Sequence, residues 1–290
     1  HPAGRWGIMS AMSTDTECPE LQNFAEENRH LVDTLRSGDL EHALFVLQDV
    51  GEVDDEVADE LVRIVRSAGV DPELRAAAAI ALGPTLELCW WEEDEQGRLE
   101  EGQWGTAPLS QAAYDRSTAA LREVCGDEET PVLVRRRCLE AAVRAPRDWQ
   151  VEAIRGAWRS DDPGWRVTAV FAMGYCRQAD FSGEVEEAFH SDSLGLRREA
   201  LRSAGMLEME HLMPGMSEVA ADPEAEAELR YAAVEGLGEL ANPEAVELLE
   251  RLAHSRDETL AAVAGEALEQ LLMVQDLGEL EELGDLDEEW

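Results

Sequence analysis

An arginine recurs along this chain at a nearly fixed spacing, and its neighbours recur with it. The anchors are Arg75, Arg135, Arg166, Arg197 and Arg230, with Ala261 in the equivalent place of a last copy; the intervals are 60, 31, 31, 33 and 31 residues. The residue before each anchor is apolar: Leu74, Val134, Trp165, Leu196, Leu229 and Leu260. Three after it stands a small residue: Ala78, Cys138, Ala169, Ala200, Ala233 and Ala264. Seven after it comes Leu82, Ala142, Met173, Ala204, Leu237 or Leu268. These three positions share one stripe of an α-helix. A fixed period means that each unit buries its stripe against the next one. A globular helical bundle has no need of such a period.

Each flank of the anchor has a physical reading. Asp71 and Asp162 are placed to cap a helix N-terminus, with Pro72 and Pro163 in the first turn, where no N–H is needed. Asp71–Arg75 and Asp162–Arg166 have the i, i+4 spacing of helical ion pairs. The small residue three after the anchor lets a neighbouring helix approach. Gly83, Gly174, Gly205 and Gly238, eight after it, are expected to end the helix or permit a tight turn, whereas Val143 and Glu269 hold that place in two degenerate copies. A second helix is expected in each unit, at 109–125, 148–160, 181–191, 211–221 and 243–254. Upstream, "DLEHALFVLQDVG" and "DDEVADELVRIVRSAG" form a further pair, with 20–36 as a capping helix. The last helix, 257–273, has no second helix to follow it.

A two-helix unit of about 31 residues with Asp-Pro, Arg, paired small residues and Gly at these places resembles the HEAT-repeat family, in its short PBS-lyase HEAT-like form. The resemblance covers about 39–272. It implies an all-α fold, a right-handed α-solenoid of tandem two-helix repeats. The expected organisation is a flexible segment at 1–19, one solenoid domain at 20–274 and an acidic tail at 275–290. An insertion at 84–107, "PTLELCWWEEDEQGRLEEGQWGTA", carries Trp90, Trp91 and Trp104 around an acidic run. Tail and insertion are each expected either to be flexible or to pack their Trp on the solenoid.

Charge narrows the function. The chain of 290 residues carries 64 acidic side chains and 24 basic ones, all Arg, for a formal charge of -40. Such a surface repels nucleic acid and anionic membranes. The most apolar stretch, 74–91, contains Arg75, Gly83, Pro84 and Glu87, so no membrane span is expected. Residues 1–20 lack the basic start and long apolar core of a signal peptide. Five widely spaced Cys without a C-x-x-C pair argue against a disulfide framework or zinc site and fit a reducing cytoplasm.

Catalysis finds no foothold among the motifs. HEAT-repeat hydroxylases bind iron through repeated His-Glu dipeptides, and this chain has none; its six His are scattered. No Gly-rich phosphate loop is present, and no residue set marks bilin handling. No cofactor is therefore expected.

The charge is uneven. Residues 131–179 hold nine Arg (Arg135, Arg136, Arg137, Arg144, Arg147, Arg155, Arg159, Arg166 and Arg177) against five acids, a net of +4, whereas 222–290 sums to -18. On 148–160, Val151, Ile154 and Trp158 form a core stripe and Glu152, Arg155 and Arg159 a separate one. The resemblance places that second helix on the concave surface. These arginines either pair with acids of adjacent units, or bind a partner, or dock the chain's own tail or insertion. Arg suits bidentate capture of carboxylates, and Trp with Arg dominates interface energies. The candidate contact residues are thus Arg135, Arg136, Arg144, Arg147, Trp149, Arg155 and Arg159, with Trp90 and Trp91 of the insertion. The reading that follows is a non-catalytic scaffold for a protein partner with an acidic or carboxylate-bearing surface. The alternative is a lyase-like or maturation factor that handles a cofactor or peptide.

Overall fold

A computed structural model describes residues 19–91, 108–176, 179–240 and 242–285. Every regular element among them is helical. The chain forms two compact units that divide between Ala153 and Ile154.

In the first unit the helices are α1 (Pro19–Arg36), α2 (Leu40–Val46), α3 (Asp55–Arg66), α4 (Pro72–Trp91), α5 (Gln111–Gly126) and α6 (Val132–Ala142). Helix α4 packs between α2 and α6, while α3 packs on α1, α4 and α5. The division falls within α7 (Trp149–Trp158). The second unit continues with α8 (Pro163–Tyr175), α9 (Ser182–Phe189), α10 (Leu194–Met206), α11 (Met213–Ala221), α12 (Ala227–Leu240), α13 (Val246–Ala253) and α14 (Glu258–Asp285). Here α8, α10, α12 and α14 stack in one layer, with α9, α11 and α13 laid against them. Each unit is thus a two-layer stack of helix pairs, the α-solenoid arrangement.

The repeat stripe builds this stack. All six small residues three after the anchor (Ala78, Cys138, Ala169, Ala200, Ala233 and Ala264) are completely buried. Leu82, Met173, Ala204 and Leu237, seven after it, are buried as fully. Trp165, before its anchor, is only half-buried.

The glycines eight after the anchor do not end helices. Gly83, Gly174, Gly205 and Gly238 lie inside α4, α8, α10 and α12 with ordinary helical backbone. A Cβ on each would press into the neighbouring helix of the same layer: on Arg144 beyond α6, Ser203 of α10, Gly236 of α12 and Ala267 of α14, respectively. The missing side chain lets successive first helices touch along their backbones. The glycine signal was real, but its cause is helix crossing.

The anchor arginine also departs from the helical ion pair. Arg75 Nε donates to the Val65 carbonyl at 2.9 Å, Arg135 Nε to Cys125 at 3.0 Å and Arg230 Nε to Ala220 at 3.4 Å. Each acceptor is the penultimate residue of the preceding helix, α3, α5 or α11. A guanidinium there satisfies a terminal carbonyl and meets the negative end of the helix dipole. Asp71 and Asp162 serve the backbone instead: Asp71 accepts from Glu73 N–H at 2.8 Å, and Asp162 from Gly164 N–H at 2.7 Å. The expected capping role of Asp162 holds.

Two boundaries shift. Helix α4 runs through Pro84 to Trp91, so the departure from the repeat begins after Trp91. Thr85 holds this stretch against the preceding loop, its hydroxyl accepting Val53 N–H at 3.0 Å. Helix α14 continues well beyond 273 to Asp285, into the expected acidic tail, and packs on α12 and α13. The segment 1–18, most of the insertion (92–107) and the tail's end (286–290) lie outside the described residues.

Candidate functional site

The arginines of 131–179 fall into two groups. In the first unit most guanidinium groups bind their own fold. Arg135 holds the Cys125 carbonyl. Arg137 pairs with Glu140, which is buried. Arg144 Nη1 meets Glu87 Oε2 at 2.6 Å, and Glu87 is 8% exposed. This pair joins the residues after α6 to α4, beside the side-chain-free surface of Gly83.

Arg147 is held from several directions. Its Nη2 donates to the Tyr114 hydroxyl at 2.8 Å, its Nη1 to the Pro146 carbonyl at 2.9 Å, and its guanidinium carbon lies 5.5 Å from the Tyr114 ring centre. Tyr114 is fully buried in α5. Buried Gln150 fastens the same loop, donating to the carbonyls of Ala142 at 2.7 Å and Ala145 at 3.1 Å. Its Oε1 takes the Arg147 N–H at 3.0 Å. Arg136 and Trp149 are half-buried.

In the second unit Arg155 is half-buried, with its guanidinium carbon 6.0 Å from the ring centre of buried Phe181. Arg159 is exposed. Arg166 lies 4.6 Å over the Trp158 ring and 3.7 Å from Glu187. Ile154 of the expected core stripe is completely buried, and Val151 and Trp158 half-buried. Trp90 and Trp91 close α4, but their side chains lie outside the described residues, as do Trp104 and Arg177.

The acceptors that organise this segment were not singled out from sequence. Glu87 stands 57 residues before Arg144, and Tyr114 stands 33 before Arg147. Neither separation carries a local signal. The Arg144–Glu87 bond makes a direct prediction. Arg144→Ser is expected to cost about 2 kcal/mol, because it strands a largely buried carboxylate. Arg144→Ser with Glu87→Ser should cost less than the sum of the single changes, as a urea-unfolding double-mutant cycle would read.

Elsewhere the charges are similarly engaged. Arg198 bridges Glu199 and Glu228, each at 2.9 Å, and Arg202 bridges Glu199 and Glu235, tying α10 to α12. Burial pushes the Cys125 thiol up to about 11, and the Cys138 thiol higher still. Both are inert at neutral pH. Among the described residues no group of His, Cys, Asp or Glu is arranged to hold a metal ion. No helix among them is long and apolar enough to cross a membrane.

Comparison with known proteins places the repeat. Residues 182–269 match the family described as HEAT repeats. Nothing among curated proteins matches the chain. Solved structures with a similar course include human deoxyhypusine hydroxylase in complex with glycerol, at 17% identity and TM-score 0.39, covering 88% of this chain and 99% of that one. Another is the CpcE–CpcF complex of phycocyanin lyase from Nostoc sp., at 15% identity and TM-score 0.39, covering 91% and 98%. Likeness at this level says nothing of activity.

Proposed function

We propose that this chain, a HEAT-repeat protein by the match over 182–269, is a non-catalytic adaptor that holds protein partners along its arrayed helices. The observation that carries this reading is where the repeat spends its side chains. The small stripe, the glycines and three of the anchor arginines, Arg75, Arg135 and Arg230, serve contacts between helices, so most of what recurs along the chain is the means of stacking. The outward helix faces are then free to vary, which suits an extended protein contact.

The contact assigned here is the exposed surface at the C-terminal end of α7, within the second unit. Because Arg135, Arg144 and Arg147 carry internal bonds and Arg155 lies half-buried by Phe181, the partner-facing charge narrows to the guanidinium nitrogens of exposed Arg159. Their partner presents carboxylates, which Arg takes as paired hydrogen bonds. The overall charge of -40 repels such a partner at a distance, so attraction is local and recognition depends on close fit. Four buried free thiols, Cys89, Cys125, Cys138 and Cys176, support a reducing compartment.

The test is a paired one. Arg159→Ser is expected to leave urea unfolding within about 1 kcal/mol of the unmodified protein, since an exposed charge contributes little. The same variant should lose the proteins that the unmodified chain crosslinks in native lysate. An unchanged set of crosslinked proteins would remove α7 from the contact.

A further inference from the structure

One anchor arginine has lost its acceptor, and it faces an open pocket. Arg75, Arg135 and Arg230 hold the penultimate carbonyl of the helix before them. In those three places the capping N–H turns to another carbonyl: Ser67 N–H to Ile64, Asp127 N–H to Val124 and Asp222 N–H to Glu218. The penultimate oxygen is left for the arginine. Helix α9 ends differently. Its penultimate carbonyl, Ala188, accepts from His190 N–H and from Ser191 N–H, the latter at 3.1 Å. Arg197, the anchor that follows, has a buried Nε with no hydrogen-bond partner. The helix before Arg166 closes in the same way, with Ser160 N–H on Ala157 at 3.2 Å, and Arg166 goes to Trp158 and Glu187 instead. Among the described residues no such substitute meets Arg197 Nε, although the neighbouring Arg198 is bound to Glu199 and Glu228.

The pocket has a volume of about 300 Å³ and is lined by Phe189, His190, Ser191, Asp192, Leu194, Arg197 and Leu229. Phe189 and Leu229 are buried, while Leu194 is 55% exposed, a large apolar wall left open to solvent. Helix α10 begins here, and its N-cap Ser193 makes no side-chain capping bond, so the positive end of the helix adds to the arginine. The Ser191 hydroxyl accepts Ser193 N–H at 3.1 Å. Asp192 puts one negative charge in the lining, which a second negative charge on a ligand would meet.

We propose that this pocket is a binding site for a single carboxylate carried beside an aliphatic group. The Arg197 guanidinium, which lines the pocket and spends no Nε–H on the fold, gives the carboxylate its donors. Exposed Leu194, with Leu229 and Phe189 behind it, gives the aliphatic group its surface. Asp192, in a chain this acidic, excludes dianions such as phosphate. The site lies apart from the α7 contact and does not depend on it. Its carboxylate comes either from the C-terminus of a peptide or from a small aliphatic acid, and the two share this chemistry.

The experiment titrates acetyl-leucine, acetyl-leucine amide, acetyl-Ala-Ala-Leu and inorganic phosphate into 15N-labelled protein, following the Arg197 Nε–H resonance. Acetyl-leucine is expected to shift that resonance saturably, while the amide and phosphate leave it in place. Binding measured by calorimetry should weaken at least tenfold in Arg197→Gln, whose thermal unfolding should match the unmodified protein because Nε holds nothing in the fold. Tighter binding of acetyl-Ala-Ala-Leu assigns the site to a peptide end, and equal binding to a small acid; both sustain it. No saturable shift, an equal response to the amide, stronger binding of phosphate, or undiminished binding in Arg197→Gln overturns it.

Discussion

Gly205→Ala is expected to destabilise the protein by about 3 kcal/mol, as urea unfolding would measure. A Cβ on Gly205 would collide with the carbonyl oxygen of Gly236 and stand 2.8 Å from its Cα. These are backbone atoms of α12, which have no rotamer to escape into. The contact is mutual in place: a Cβ on Gly236 would meet the Leu201 carbonyl and lie 2.6 Å from Met216 Cε. To admit one methyl group, α10 and α12 must move apart along a seam of completely buried Ala200, Ala204, Ala232 and Ala233. Interiors at native density do not yield that room cheaply. Ala is the better helix former by about 1 kcal/mol, and the clash must exceed that gain. Gly265→Ala is the internal control. Nothing lies within 4 Å of a Cβ there, so in α14 the same change should stabilise by about 0.5–1 kcal/mol. Equal effects at the two sites would remove close helix approach as the reason for the repeat's glycine.

That glycine shows what was legible in the sequence and what was not. Its recurrence was plain, because period needs no structure to be seen. Its purpose was ambiguous, because a helix end and a helix crossing both ask for an absent side chain. The small residue three after the anchor had one physical reading, and all six copies are completely buried. The second helices and the capping helix were also legible, since each carries its own apolar spacing. For Arg75 and Arg166 the local spacing offers an acid four residues earlier, Asp71 or Asp162. The acceptor of Arg75, Arg135 and Arg230 is a backbone carbonyl ten residues earlier, in the preceding helix, and a carbonyl leaves no mark in a sequence. The insertion was expected to open at residue 84, yet α4 continues to Trp91. For the candidate site, the excess of Arg was visible. Which arginines are engaged was not, because Glu87 and Tyr114 reach Arg144 and Arg147 only through the stacking of α4, α5 and α6.

The anchors themselves yield the other large effect. Arg75→Met is expected to cost about 3 kcal/mol. Met retains much of the apolar stem and removes only the donor and its charge. Arg75 is 3% exposed, and its Nε holds Val65 O at 2.9 Å, at the C-terminal end of α3. A hydrogen bond from a charged donor contributes about 1.5–3 kcal/mol, and a cation at a helix C-terminus adds about 0.3–1. The carbonyl left behind belongs to a completely buried residue, so water does not readily replace the lost donor. Arg230→Met should cost less, about 1 kcal/mol, because that bond is 3.4 Å long and the side chain only half-buried. Arg197→Met should cost nothing measurable, since its Nε has no partner to lose. The three residues hold the same place in the repeat, so differences in unfolding free energy isolate the acceptor. A series falling in the order Arg75, Arg230, Arg197 makes the helix-end bond the source of the anchor's stability. A flat series would place that stability in the packing of the arginine stem, and would leave the recurrence of Arg itself without an energetic cause.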